Sequence, residues 1–297
     1  MTVSVEIASG EQAAERTVAA RAPRPPRSIP GFGGSIGITT VSLVLLVILP
    51  LGALIARVAR APWDTIVHAA TDPRTVASCL LSLGASATAA LIATPIGVAI
   101  AWSLARWEFP GRALLDAIID VPFALPTAVS GIALTALCTP QGWLGSLMAP
   151  LGIELAFSRT GIVIALLFTG LPFVVRTVQP VIEDLPTDVE EAAASLGASR
   201  AQTFARVLFP ALVPAIIAGA TLAFARAVGE YGSVVFIAGN MPMRTEIAPL
   251  RILSHLESYD YASAAVVATE MLFASAALLL IVNLAQRRIA RRGTASA

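Results

Sequence analysis

The chain has 297 residues, of which 56% are hydrophobic and only 13% are charged, and its formal net charge is +1. Soluble domains carry about one quarter charged residues, so this chain must place much of its apolar surface against membrane lipid. A net charge this close to zero provides no bulk attraction for nucleic acid, and no nucleic-acid partner is expected.

The amino-terminal segment, residues 1–35, is polar at first, then rich in Arg and Pro, and then rich in Gly. This composition cannot bury a core, so residues 1–35 are predicted to form a disordered cytoplasmic tail. No apolar stretch follows a short charged start, which argues against a cleavable signal peptide.

Six apolar runs follow, and each is close to the roughly 20 residues that a membrane-spanning helix requires. They predict an all-α membrane protein with six transmembrane helices, at about Ile36–Ala56, Val76–Leu104, Ile118–Leu137, Gly161–Val178, Leu212–Ala238 and Ala262–Ala285. The third run is the least regular, because Pro122 and Pro126 interrupt it. Proline is tolerated inside a span where neighbouring groups satisfy the freed backbone atoms.

The placement of Arg predicts the orientation of these spans, since cytoplasmic segments carry an excess of basic residues. With the amino terminus inside the cell, thirteen Arg fall in cytoplasmic segments and six fall outside. Arg57 and Arg60 fit this arrangement poorly, because they lie just outside the first span. The balance still places both termini, and the loop between the fourth and fifth spans, in the cytoplasm.

That loop, residues 184–210, is polar and is predicted to form two short helices. In the first helix, Thr187 is predicted to act as the cap, with Glu190 completing a capping box. Gly197 is predicted to end the helix, because glycine takes the left-handed conformation without steric cost. One apolar face recurs at helical spacing and contains Val189, Ala192, Ala193 and Leu196.

The second helix of the loop begins with another capping box, formed by Ser199 and Gln202. Pro210 is predicted to end this helix, because proline cannot continue the backbone hydrogen-bond ladder. Two capped helices held between membrane spans form a small rigid knob, which is typical of a surface that binds a protein outside the membrane.

The knob also carries a sequence pattern at fixed spacing: Glu191, Ala192, Ala193, Gly197, Val207, Phe209 and Pro210. This pattern resembles the cytoplasmic loop signature of ABC importer permeases of the type-1, MetI-like superfamily. Val207 and Phe209 are conservative departures, since that family more often has Ile and Leu there. The resemblance implies coupling to an ATPase through Glu191, Ala192, Ala193, Gly197, Val207 and Pro210. The alternative is an ordinary amphipathic surface helix pair.

Three further segments are similar to one branch of these permeases. Residues 122–134 resemble the third-span signature of sulfate and molybdate permeases, and residues 170–180 and 229–242 resemble the T-type (CysT) subunits of sulfate/thiosulfate importers. The resemblance covers about residues 36–290. It implies a first transmembrane helix at 36–58, a permease domain at 75–286 with its coupling loop at 184–210, and a basic cytoplasmic tail at 287–297.

By this resemblance, the chain is expected to be the permease subunit of an ATP-driven importer of sulfate or thiosulfate in a bacterial inner membrane. The implied partners are an extracytoplasmic sulfate-binding protein, a related second permease subunit, an ABC ATPase subunit dimer and membrane lipid. Import of molybdate or tungstate is an alternative, because the permeases for those anions share the same landmarks. A gradient-driven secondary anion transporter is a further alternative, but it leaves the capped knob unexplained.

All 20 basic residues are Arg, and the sequence contains no Lys. A P-loop needs its Lys on the nucleotide phosphates, so ATP is expected to be used by a separate ATPase subunit. This chain is therefore expected to bind no cofactor and not to be an enzyme. Its two Cys and two His are too few and too scattered for a zinc site, so no metal is expected.

Charged residues inside the predicted spans are candidates for the translocation path, because charge at membrane depth is costly and usually functional. Arg226 and Glu230 are four residues apart in the fifth run, which places them on one helix face. In one interpretation Arg226 faces the path and Glu230 tunes or gates it, and in the other they form a structural ion pair. Glu270 in the sixth run is either a partner for Arg226 or a contact between two permease subunits.

Two hydroxyl residues beside the prolines of the third run, Thr127 and Ser130, are further candidates for the path. Small residues of this kind also allow close helix packing, which is the alternative. Asp116 and Asp120 share a helix face near the start of the same run and are interpreted as a solvated surface.

Overall fold

The computed structural model describes residues 32–294, with side chains for residues 34–284, and the described residues form helices and no strand. The prediction of disorder for residues 1–31 therefore lies outside the described residues, while residues 32–35 belong to the first helix. The all-α fold class is confirmed.

Fourteen α-helices are described between residues 32 and 294. In chain order they are α1 Phe32–Leu43, α2 Leu49–Ala59, α3 Trp63–Thr71, α4 Pro73–Arg106, α5 Arg112–Ala124, α6 Thr127–Cys138, α7 Trp143–Met148, α8 Arg159–Glu183, α9 Thr187–Ser195, α10 Arg200–Thr203, α11 Phe209–Val228, α12 Gly232–Ala238, α13 Ala248–Glu257 and α14 Tyr261–Thr294. A π-helical turn, Val44–Ile48, joins α1 to α2, and a second one, Phe204–Leu208, joins α10 to α11.

Five helical segments within the described residues are long and apolar enough to cross a membrane: Gly34–Ala59, Pro73–Arg106, Arg159–Glu183, Arg200–Val228 and Tyr261–Leu284. The predicted third span corresponds instead to two helices, α5 and α6, that are bent by 115°. Leu125 precedes Pro126 and has extended backbone angles, because a proline excludes the helical conformation from the residue before it. The irregularity of the third run thus becomes a break in the span.

The chain divides into two compact units, Met1–Ala53 and Leu54–Ala297. In the described part of the first unit, α1 and the start of α2 form one continuous apolar helix through the π turn. The second unit contains every other helix and is built around α4, α8 and α11.

These three helices approach each other closely at Val174, which is fully buried. A Cβ atom added to Gly97 of α4 would lie 2.7 Å from the Val174 Cβ atom, and one added to Gly219 of α11 would lie 3.1 Å from the Val174 Cα atom. Small residues at such positions let helix backbones come into direct contact. In the core of the second unit, α8 therefore passes closely between two glycines.

Ion pairs secure one end of this unit, at the start of α4. Arg74 donates two hydrogen bonds to the buried carboxylate of Glu246, at 2.6 and 2.7 Å. Arg251 of α13 binds Asp72 at 2.8 Å. Burial raises the pKa of the Asp72 carboxyl, but the Thr75 amide and Arg251 outweigh that effect and hold the pKa below its usual range. These pairs fix α13 against the start of α4.

Candidate functional site

The fifth predicted span is interrupted where its two charged residues lie. The helix α11 ends at Val228 and α12 begins at Gly232, so the prediction of one helix over residues 212–238 is wrong. Arg226 and Glu230 consequently do not share a helix face. They are nevertheless in contact, since the Nη1 atom of Arg226 lies 2.6 Å from the Oε2 atom of Glu230.

Both carboxylate oxygens of Glu230 are occupied by contacts within its own chain. Its side chain is 1% exposed, and while Oε2 pairs with Arg226, Oε1 accepts hydrogen bonds from the backbone N–H and the hydroxyl of Ser233, at 3.0 and 2.9 Å. A carboxylate at the start of a helix satisfies free backbone N–H groups there. Glu230 therefore links α11 to α12 across the break and leaves no oxygen available to a ligand.

Arg226 differs from Glu230, because its side chain is partly exposed and most of its hydrogen-bond donors have no partner in the described chain. Its side chain is 34% exposed, and among residues 34–284 its one polar contact is the ion pair with Glu230. A guanidinium has five N–H donors in a fixed planar arrangement. Most of the Arg226 donors are therefore free to bind an anion, while the ion pair holds the side chain in place.

The break in the fifth span packs directly against the break in the third. A Cβ atom on Gly131 of α6 would lie 2.5 Å from the Ser233 carbonyl oxygen, and Gly232 of α12 meets the Thr127 side chain closely. The structure thus brings Thr127, Ser130, Arg226 and Glu230 into one region. Ser130 itself is buried, and its hydroxyl donates to the Pro126 carbonyl at 3.4 Å, so its contact is with its own helix.

Sequence reasoning missed a second intramembrane arginine site. Arg176 of α8 donates to both carboxylate oxygens of Asp120, at 2.9 and 2.7 Å, and to Asp116 Oδ1 at 2.6 Å. It also donates to the Gln179 side chain at 3.0 Å and to the Asp116 carbonyl at 3.1 Å. The two aspartates are about half exposed, as the interpretation of a solvated surface expects, but that interpretation did not include their contact with Arg176. The sequence did contain a signal for this contact, namely Arg176 inside the fourth predicted span and two Asp four residues apart beside the third.

The knob at residues 184–210 is helical as predicted, but its caps differ. The first helix begins at Thr187 itself, with Pro186 in the cap position, and no side-chain capping bond forms. The predicted Thr187–Glu190 box is therefore wrong, because Glu190 turns instead to Arg106. Gly197 has φ +82°, in agreement with its predicted role as the helix stop.

In the second half of the knob, the predicted box is confirmed, since the side chains of Ser199 and Gln202 each bond the other's backbone. Pro210 does not end a helix, and that prediction is wrong. It lies in the first turn of α11, directly after the π turn Phe204–Leu208, where the loss of one backbone donor is tolerated. The second helix of the knob is therefore continuous with the fifth span.

Arg106, at the end of α4, anchors the knob. Its Nη2 atom lies 3.0 Å from the Glu190 carboxylate and donates to the Leu185 carbonyl at 3.3 Å, while its guanidinium lies over the Trp102 ring. The apolar face predicted for α9 is not buried by the described chain, since Leu196 is 89% exposed and Val189 is also exposed. Glu191, Ala192, Gly197 and Pro210 are exposed, and Ala193 and Val207 are half-buried. A fixed loop thus presents an uncovered apolar surface.

Comparison with known proteins agrees with this arrangement. A family model described as "Binding-protein-dependent transport system inner membrane component" matches residues 93–294. The sulfate transport system permease protein CysT of Salmonella typhimurium is 43% identical over 266 residues, which are 90% of this chain and 96% of that protein. A probable sulfate transport system permease protein of Nephroselmis olivacea is 48% identical over 232 residues, 78% of this chain and 82% of that protein.

Among solved structures, a bacterial ABC transporter involved in the import of the acidic polysaccharide alginate has a similar fold. Its TM-score is 0.71 at 16% sequence identity, and the match covers 86% of this chain and 94% of that one. At this level of identity the likeness concerns the arrangement of helices.

Proposed function

Because the chain belongs to the family of binding-protein-dependent transport system inner membrane components, we propose that it is the permease subunit of an ATP-driven importer that carries sulfate and thiosulfate into the cytoplasm. One observation carries the choice of substrate. The identity to a named sulfate permease is 43% and extends over 90% of this chain and 96% of the relative, so it is not confined to one motif. The family model also argues against a gradient-driven transporter.

The proposed assembly contains four kinds of component. A binding protein delivers the anion to the outer surface, this chain and a related second permease subunit enclose the path, and an ATPase dimer on the cytoplasmic side consumes ATP. This chain binds no cofactor and catalyses no reaction of its own. It lies in the bacterial inner membrane with both termini in the cytoplasm, as the excess of Arg on that side supports.

The knob at 184–210 is the proposed contact with the ATPase. Its apolar face around Leu196 is uncovered in the described chain, and Arg106 together with the Ser199–Gln202 box keeps the loop in one conformation. A preorganised loop loses little conformational entropy on binding and transmits displacement instead of absorbing it. Its continuity with α11 connects the knob directly to the broken region of the fifth span.

Arg226 is the proposed anion contact within the path. Its free N–H donors match the oxygens of a tetrahedral dianion, and bonds between charged groups are the strong ones. The fixed carboxylate of Glu230 neutralises the pair, so the anion meets hydrogen-bond donors without a full uncompensated positive charge. This balance favours passage, because a translocation site must bind well enough for entry and weakly enough for release. Thr127 lies beside this site and is the proposed hydroxyl contact.

Radiolabelled sulfate uptake tests the proposed function, in cells that lack this protein and in the same cells with its expression restored. We expect restored expression to restore uptake, and thiosulfate to inhibit it more than molybdate does. A correctly inserted and assembled complex without sulfate uptake would contradict the sulfate assignment, and a greater effect of molybdate would favour the molybdate/tungstate alternative. Uptake by an ATP-driven importer is expected to be inhibited by vanadate. Inhibition by an uncoupler but not by vanadate would favour a gradient-driven transporter instead.

A further inference from the structure

The last helix carries a carboxyl group without a partner. Glu270 of α14 lies nine residues from the start of the span, about 14 Å along the helix axis. Its Oε2 atom is buried without a hydrogen-bond partner, and so is the hydroxyl oxygen of the adjacent Thr269. Neither carboxylate oxygen of Glu270 receives a hydrogen bond from a residue in the described range 34–284. Ionisable groups at membrane depth normally pair with another group.

The chain's own intramembrane cations do not supply this partner. Arg226 binds Glu230 and makes no contact with Glu270 among the described residues, so the interpretation of Glu270 as its partner is wrong, and Arg176 is held by Asp116 and Asp120. Cys79 of α4 interacts electrostatically with Glu270, but its thiol is only a weak donor and makes no hydrogen bond to the carboxyl.

The surface next to Glu270 has the pattern of a helix-packing face. Phe273, which is 60% exposed, and Ala277, Leu280 and Ile281 follow Glu270 at intervals of three, four, three and one residues, so all five lie along one face of α14. Lipid tails would cover the apolar residues but bring no hydrogen-bond donor to the carboxyl. A small residue such as Ala277 lets a neighbouring span approach closely, and polar side chains form hydrogen bonds between spans.

We propose that this Glu270 face (Glu270, Phe273, Ala277, Leu280 and Ile281) packs against a span of the second permease subunit, which places a basic side chain against Glu270. The inference rests on the proposed function, because it needs a permease pair. The related second permease subunit is the occupant that the proposed function supplies, and its basic side chain would satisfy the carboxyl that this chain leaves without a partner. The partner surface is therefore an apolar helix with one Arg or Lys at the depth of Glu270.

Co-purification tests this contact. The tagged chain is expressed with the second permease and ATPase subunits, and the amount of second permease recovered with it is measured. Glu270→Leu removes the charge and the acceptors, so recovery is expected to fall about tenfold. Glu270→Gln keeps one acceptor and is expected to lose less. Glu108→Gln makes the same change at an exposed carboxyl outside the spans and is expected to leave recovery unchanged.

Unchanged recovery with Glu270→Leu would overturn the proposal. Sulfate uptake by the unmodified complex is measured in the same cells, so a failed interface is distinguished from a failed transport assignment. If Glu270→Leu does not accumulate, a photoreactive amino acid at Phe273 in the otherwise unmodified chain provides a second test. An adduct with the second permease subunit is expected, whereas an adduct between two copies of this chain, or with lipid alone, would overturn the proposal.

Discussion

Two arginines inside the membrane spans differ in how many of their hydrogen-bond donors their own chain uses. Arg176 makes five donations to Asp116, Asp120 and Gln179, which account for all of its N–H groups. Arg226 makes one ion pair, and the rest of its donors have no partner among residues 34–284. The difference separates an arginine that joins two helices from one that we propose as the anion contact. Intramembrane charge alone does not distinguish these roles, but the occupancy of the donors does.

The comparison is tested most directly by removing Arg226. Arg226→Ala alone would leave a buried carboxylate unpaired, so the informative variant is Arg226→Ala with Glu230→Gln, which keeps an acceptor for the Ser233 cap. We expect sulfate uptake to fall about 100-fold, the equivalent of two lost charge-assisted hydrogen bonds, with assembly of the complex preserved. The measurements are initial uptake rate and ATPase co-purification. Loss of assembly with proportionate loss of uptake would show that Arg226 is structural as well.

The knob provides a change that leaves both arginine sites intact. Gly197→Asp is expected to lower uptake about tenfold, because a charge is introduced into the proposed ATPase contact at a residue with φ +82°. Gly197→Asn is the matched control, since Asn has nearly the same shape and tolerates the left-handed conformation but carries no charge. Uptake and ATPase activity are measured for both. Normal uptake with Gly197→Asp would exclude this surface as the coupling contact.

Removal of Arg176 is expected to affect stability and not anion selection. Arg176→Ala leaves two half-exposed carboxylates unpaired, and partial solvent exposure limits the cost to about 2 kcal/mol of folding free energy. We expect a lower thermal midpoint and less protein in the membrane, with an unchanged KM for sulfate. Arg176→Lys is expected to rescue only part of the stability, because an ammonium cannot reproduce the planar fork. A raised KM at normal stability would place Arg176 on the path.

The smallest expected effect concerns a third arginine, Arg251, which lies outside the spans beside His255. Burial, and next Arg251, lower the pKa of His255 despite the neighbouring Asp260. The folded state therefore favours neutral His255, and its contribution to stability is present above the ordinary pKa of 6.5 and is lost as the pH falls from there toward the lowered pKa. Thermal midpoints of the purified complex between pH 8 and pH 5 are expected to fall less for His255→Gln than for the unmodified chain. Equal slopes would contradict this assignment.

The sequence predicts local features of this molecule well and long-range ones poorly. The prolines at 122 and 126 indicated an irregular third span, and the Ser199–Gln202 box was correct because both partners lie within one helical turn. The contact of Arg176 with Asp116 and Asp120 joins residues 56 and 60 positions apart, which no local pattern encodes. The predicted Thr187–Glu190 capping box was wrong for the same reason, since Glu190 forms an ion pair with Arg106, which is distant in the sequence.

The fifth span shows a different limitation. Hydropathy predicts one helix over residues 212–238, because the break at residues 229–231 is too short to lower the average. The carboxylate of Glu230 satisfies the start of α12, and Gly232 lets that helix approach Thr127 closely. The contact between Arg226 and Glu230 therefore forms across a break between two helices. The sequence correctly indicated that these two residues are close, but it placed them on one face of a single helix.

The close contact of Val174 with Gly97 and Gly219 has a mechanical consequence. Helices packed backbone to backbone cannot slide freely, so α8 is expected to tilt about this point as a lever tilts about its fulcrum. The arm toward the knob, from Val174 to Glu183, is about 14 Å long, and the arm toward Arg159 is about 22 Å long. A displacement applied at the proposed ATPase side is therefore expected to arrive at the opposite side reversed in direction and enlarged about 1.6-fold.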